Sequence, residues 1–158
     1  MRDKFEVLSQ KMRRERTLLG ARLEVDALLL AAQEGRAEVI EHEGKIIAFG
    51  ALWDREHSVE IGSLWVDQEH RGNRYMSFVF RGLVARAPLG KRLFIIAQDE
   101  IIAGLAMKHG MEEEPDRGKW LSRALCQPSC DSCDRLPKEV RSRCLLKFSK
   151  PEYRVFWK

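Results

Sequence analysis

A chain of 158 residues is long enough to bury one continuous core around a sheet, and 44% hydrophobic with 33% charged side chains is the balance of a globular domain. No apolar run approaches the roughly 20 residues that a membrane-crossing helix needs, so no helical membrane span and no membrane partner are expected. The opening Met1-Arg2-Asp3-Lys4-Phe5-Glu6 mixes charges with no apolar stretch behind it, so the expectation is a cytoplasmic protein without a secretory leader.

The net charge of +4 is unevenly distributed. Residues 1–22 carry seven basic and three acidic side chains, residues 23–116 ten and seventeen, and residues 117–158 eleven and four. Basic ends attract phosphate, whether in a cofactor or in nucleic acid. A solvated face explains such a charge run more simply, which leaves a nucleic-acid partner as the lesser alternative.

In chain order, Phe5 to about Glu34 lacks proline and places apolar residues at helical spacing, as in Val25, Leu28, Leu29 and Ala32. Two helices are expected there, interrupted near Gly20 and stopped at Glu34-Gly35. From Ala37 the period becomes that of strands. Ala37 to His42, a Glu43-Gly44 turn and Lys45 to Trp53 make a hairpin, and Ser58 to Val66 adds a third strand of an antiparallel meander. Gly62 inside the third strand predicts a bulge or a close backbone approach.

The polar loop Asp67 to Asn73 leads into a helix from Arg74 to about Arg86, closed by Pro88-Leu89-Gly90. Leu93 to Ala97 reads as a buried strand, and Glu100 to His109 as a short helix stopped by Gly110. Strand, helix and strand in that order imply a parallel pair joined to the meander, giving an α/β fold with a mixed, mostly antiparallel sheet flanked by helices.

That order over roughly Leu28 to Met111 resembles the GNAT acetyltransferase superfamily. Leu64-Trp65-Val66-Asp67-Gln68-Glu69-His70-Arg71-Gly72-Asn73-Arg74-Tyr75-Met76 is similar to the family's strand, pyrophosphate loop and helix start. Ala103 to Met111 is similar to its helix ending in a Gly-Phe pair. Arg71 and Gly72 fit the family's loop pattern, while Arg74 and Met76 stand at its two later small positions.

The resemblance implies acetyl-CoA as co-substrate, an amine acceptor, and a monomer or homodimer. Its pantetheine arm would pair with the main chain around Leu64, Trp65 and Val66, and its pyrophosphate would sit at Arg71, Gly72, Asn73, Arg74 and Tyr75. The chemistry needs a base for the ammonium proton, and Glu60 on the third strand is the best-placed carboxylate; His42 and His57 are lower choices. Many family members carry a tyrosine in the last helix that protonates the leaving thiolate. Here that turn is Leu105-Ala106-Met107, so another acid or water is needed, and Tyr75 at the cofactor loop is an available hydroxyl.

All four cysteines fall late in the chain, as Cys126, Cys130, Cys133 and Cys144. Clustered thiols in a reducing compartment favour a metal over disulfides, and four thiolates suit a structural, tetrahedral Zn²⁺, with an iron–sulfur cluster, free thiols or redox disulfides as alternatives. The organisation expected is an acetyltransferase domain over residues 1–125, with residues 126–158 supplying the cysteine segment and terminal strands of the same domain. The function expected is acetyl transfer from acetyl-CoA to an amine. The alternative is a catalytically inactive module of this fold that contacts protein or RNA.

Overall fold

The computed structural model describes residues 1–15, 23–54, 58–97, 99–115 and 153–158. They divide into two units, one built from Met1–Trp53 and Ile61–Leu89, the other from Asp54–Glu60 and the described residues after Leu89.

In the first unit, helix α1 (Arg2–Arg14) turns Phe5, Leu8 and Met12 to one side, where all three are buried. Helix α2 (Val25–Gln33) buries Leu28 and Ala31 in the same core. Its end is a glycine cap. Gly35 takes φ 70°, its N–H bonds to the Ala32 carbonyl at 3.2 Å, and the Arg36 N–H bonds to that of Ala31 at 2.9 Å, which is the paired closure of a Schellman motif.

Strands β1 (Ala37–His42) and β2 (Lys45–Asp54) pair antiparallel with His42 opposite Lys45. Both residues between them have positive φ, Glu43 at 49° and Gly44 at 76°, the signature of a two-residue type I′ turn. The register slips between Ile40, opposite Ala48, and Glu41, opposite Ile46, so Ile47 is the extra residue of a bulge. Its carbonyl accepts the Asp67 N–H at 2.8 Å. The bulge thus holds the first residue after strand β3 (Ser58–Val66), whose neighbour in the sheet is β2.

Strand β2 is buried on both faces, as its unbroken apolar run Ile46 to Leu52 requires. Phe49 meets Phe5 of α1 edge to face, with centroids 6.3 Å apart. Gly50, on the opposite face, lies under helix α3 (Tyr75–Arg86): a Cβ there would be 2.6 Å from Val79 Cγ1 and 2.9 Å from Leu83 Cδ1. Alternation along one strand therefore sets a helix layer on each side.

In the second unit, strand β4 (Arg92–Ala97) pairs antiparallel with β6 (Arg154–Trp157), and the two-residue β5 (Glu112–Glu113) lies on the other side of β6. Leu93 and Lys158 exchange main-chain hydrogen bonds of 3.0 and 2.8 Å, extending the ladder by one residue. Helix α4 (Glu100–Lys108) starts at Asp99, whose carboxylate accepts the Ile102 N–H at 2.9 Å. It ends at Gly110, φ 73°, with the same paired closure as α2. Arg154 bonds to both Glu113 and Glu100, and these carboxylates raise its already high pKa.

The expected β1 and β3 and the turn between β1 and β2 coincide with the observed ones. The left-handed residue within β3 is Ser63, φ 52°, rather than Gly62. The cysteine segment, the first of the expected terminal strands (residues 144–148) and His57 lie outside the described residues. No helix among the described residues is long and apolar enough to cross a membrane.

Candidate cofactor-binding site

The segment from the end of β3 to the start of α3 carries the expected cofactor residues and shapes them by short-range geometry. Trp65 is buried in the first unit's core at 3% exposure, and Leu64 on the other face packs over Gly50. After Val66 the chain makes one turn of 3-10 helix, Gln68–His70, with the His70 N–H bonded to the Asp67 carbonyl at 2.8 Å. Gly72 follows with φ 84°, and open space surrounds the position of a Cβ there. Asn73 is exposed and donates through Nδ2 to the His70 carbonyl at 3.3 Å. Arg74 takes a second left-handed conformation, φ 61°, as the N-cap of α3, and its carbonyl accepts the Ser77 and Phe78 N–H groups at 3.0 and 3.2 Å.

A helix start leaves its first N–H groups without intrahelical partners and sets the positive end of the helix dipole behind them. The α3 start adds no acidic side chain in its first turn, and Arg74 is exposed beside it. These features suit an anion. Gly72 has no side chain and open space around it, and main-chain N–H groups can approach an anion where no side chain intervenes.

Arg71 behaves differently from its neighbour in the motif. Its Nε donates to the Val66 carbonyl at 3.2 Å, and its Nη2 meets Glu15 Oε2 at 2.5 Å. The other oxygen of Glu15 accepts from Trp65 Nε1 at 2.9 Å. Lys11, one helical turn before Glu15, pairs with Asp67 and lies over the Trp65 ring at 5.9 Å. Burial pulls the Asp67 carboxyl upward, but the hydrogen bond and charge of Lys11 outweigh it, leaving the group below its ordinary value.

Neither Lys11 nor Glu15 stood out in the sequence. The available signal was their four-residue separation at the end of a helix, against the two-residue separation of Trp65 and Asp67 at the end of a strand. Tyr75 is half-buried, with its ring 6.3 Å from that of His70, which in turn lies 5.8 Å from His42. Glu60 belongs to the second unit, where it is buried at 5% exposure early in β3. On α4, Leu105 and Ala106 are buried and Met107 is exposed.

An α/β architecture whose loop-to-helix junction suits an anion is a setting in which phosphate groups are commonly held. The sequence matches the family model described as the Acetyltransferase (GNAT) family over residues 5–111, and the chain belongs to that family. No curated protein matches the sequence. Among solved structures, Rv2747 from Mycobacterium tuberculosis, in complex with CoA and NLQ, is 20% identical with a TM-score of 0.62, over 99% of this chain and 94% of that one. Diaminobutyrate acetyltransferase EctA from Paenibacillus lautus, bound to L-2,4-diaminobutyric acid and coenzyme A, is 15% identical with a TM-score of 0.58, over 72% and 75%. N-acetylglutamate synthase from Neisseria gonorrhoeae, complexed with coenzyme A and N-acetyl-glutamate, is 15% identical with a TM-score of 0.59, over 98% of this chain. The chain spans 31% of that synthase's length. At these identities the likeness is one of fold: a GNAT α/β fold with a mixed sheet flanked by helices.

Proposed function

We propose that this chain transfers an acetyl group from acetyl-CoA to an amine. The observation that carries the reading is the Gly72–Arg74 turn, with left-handed residues leading into first-turn N–H groups of α3 that suit an anion, in a chain of this family. The CoA-bound relatives support the co-substrate, and the diaminobutyrate-bound relative supports an amine acceptor.

In the reaction the amine nitrogen attacks the thioester carbonyl carbon, the C–S bond breaks, and the thiolate leaves with the sulfur electron pair. The nitrogen loses one proton and the thiolate gains one. Glu60 is assigned the first of these transfers as general base and Tyr75 the second as general acid. Gly72, Asn73, Arg74 and Tyr75 are assigned to the pyrophosphate, and Leu64 to Val66 to the pantetheine amides. Arg71 is assigned with them as the residue that shapes the loop, because its guanidinium is bonded to Glu15 and Val66.

The four cysteines at 126, 130, 133 and 144 are proposed to hold a structural zinc, on the strength of their spacing, within a segment that completes the acetyltransferase domain. Elemental analysis tests this separately: about one zinc per chain is expected, and four titratable thiols with no metal refute it.

A second reading, an inactive module of the same fold, is favoured by the absence of a hydroxyl at Leu105-Ala106-Met107 and by Arg74 and Met76 at the family's small positions. Thiol release from acetyl-CoA, measured across a panel of amino acids, diamines and peptide amines, separates the two. Amine-dependent release that falls at least about a hundredfold in Glu60→Gln supports transfer; binding without release under any amine supports the second reading.

A further inference from the structure

The Arg71 side chain sits in the loop that would receive the pyrophosphate, and two of its nitrogens are already engaged within the protein. Nε is committed to the Val66 carbonyl and Nη2 to Glu15. Glu15 is bidentate in the opposite sense, taking the indole N–H of Trp65 on one oxygen and Arg71 on the other. A carboxylate that accepts from a buried strand residue and from the loop residue six positions later fixes the distance between them.

Building on the proposed acetyl-CoA site, the geometry points to Glu15 as a positioning residue that acts on the co-substrate through Arg71. It neutralises the guanidinium and holds it against the end of β3. The anion is then left to the main-chain N–H groups at the α3 start and to the exposed Arg74. Glu15 touches no reacting atom in this arrangement. Its effect is on the shape of the loop, with the Lys11–Asp67 pair holding the residue just before the 3-10 turn.

If Arg71 were instead a direct phosphate ligand held in reserve, removing Glu15 would release it and tighten binding. The two cases therefore predict opposite signs. Acetyl-CoA is titrated calorimetrically into the full-length wild type, Glu15→Gln, Glu15→Ala, Arg71→Ala and the Glu15→Ala/Arg71→Ala double variant. Glu15→Gln keeps an oxygen for Trp65 and a similar volume, and its melting curve reports folding independently.

The expected result is a dissociation constant about tenfold weaker in both Glu15 variants, which corresponds to losing one charge-assisted hydrogen bond's worth of organisation. The double variant should bind no more weakly than Arg71→Ala alone, because Glu15 acts through that side chain. A loss of stability without this non-additivity would mark a merely structural contact and overturn the proposal. Unchanged or tighter binding in Glu15→Gln would overturn it as well. A wild type that gives no heat overturns the acetyl-CoA reading beneath it, whereas a binding wild type with indifferent Glu15 variants overturns this proposal alone.

Discussion

Lys11 and Asp67 form an ion pair between α1 and the residue that follows β3, and the aspartate is the better shielded partner, with 13% of its side chain exposed. Its pKa is depressed, so the sign of its linkage to folding is fixed. A carboxyl that is more acidic in the folded state stabilises the fold above its unfolded value, about 3.9, and loses that contribution as the pH falls through the lower folded one. Asp67→Asn should therefore flatten the decline of the melting midpoint between about pH 5 and 2. An unchanged acid limb in pH-dependent melts would show that the pair is not coupled to folding.

Gly50 should tolerate no methyl group. A Cβ at this position would lie 2.6, 2.7 and 2.9 Å from carbons of Val79, Leu64 and Leu83, all in one packed layer between β2 and α3. Gly50→Ala is expected to cost about 1–3 kcal/mol through overpacking. Urea unfolding measures this, and a loss below about half a kcal/mol would mean that α3 moves away freely.

Ser63 carries two opposed effects. Its left-handed backbone, φ 52°, is costly for a residue with a side chain, while its hydroxyl oxygen accepts from Trp53 Nε1 at 3.2 Å. Ser63→Gly exchanges about 1 kcal/mol of relieved strain for a lost hydrogen bond of similar size, and so should be nearly neutral. Ser63→Val keeps the strain, adds a branched Cβ and should destabilise by at least about 2 kcal/mol. Equal stability for the two variants would contradict the left-handed assignment.

Arg74 separates folding from ligand binding. Glycine accepts φ 61° without the side-chain penalty, so Arg74→Gly should raise stability by up to about 1 kcal/mol. Under the proposed function it also removes a cation beside the pyrophosphate, weakening acetyl-CoA binding several-fold and reducing its salt dependence. A tighter complex would mean that the arginine obstructs the loop.

Much of the local structure was legible in the residues themselves. Period-two apolar patterning delimited β1 and β3, Glu43-Gly44 specified the turn, and the glycine after Glu34 and the one after His109 ended helices where a left-handed residue was required. The irregularity in β3 was not legible at its true position. A glycine inside a strand was the natural candidate, but Ser63 adopts the left-handed conformation, where its hydroxyl gains an indole partner that only the fold supplies. The Glu15–Trp65–Arg71 cluster was hidden for a related reason: its members are separated by as many as 56 positions, and no local pattern links a helix C-terminus to a loop that distant. Two-residue β5 carries too few side chains to show a period at all; it exists through its pairing with β6.

Whether the α3 start takes the pyrophosphate of acetyl-CoA is tested most directly by calorimetric titration of the purified chain with acetyl-CoA. Saturable heat from one site per chain is predicted, with a dissociation constant below about 1 mM. Absence of heat at that concentration, from protein with an intact melting transition, would contradict it.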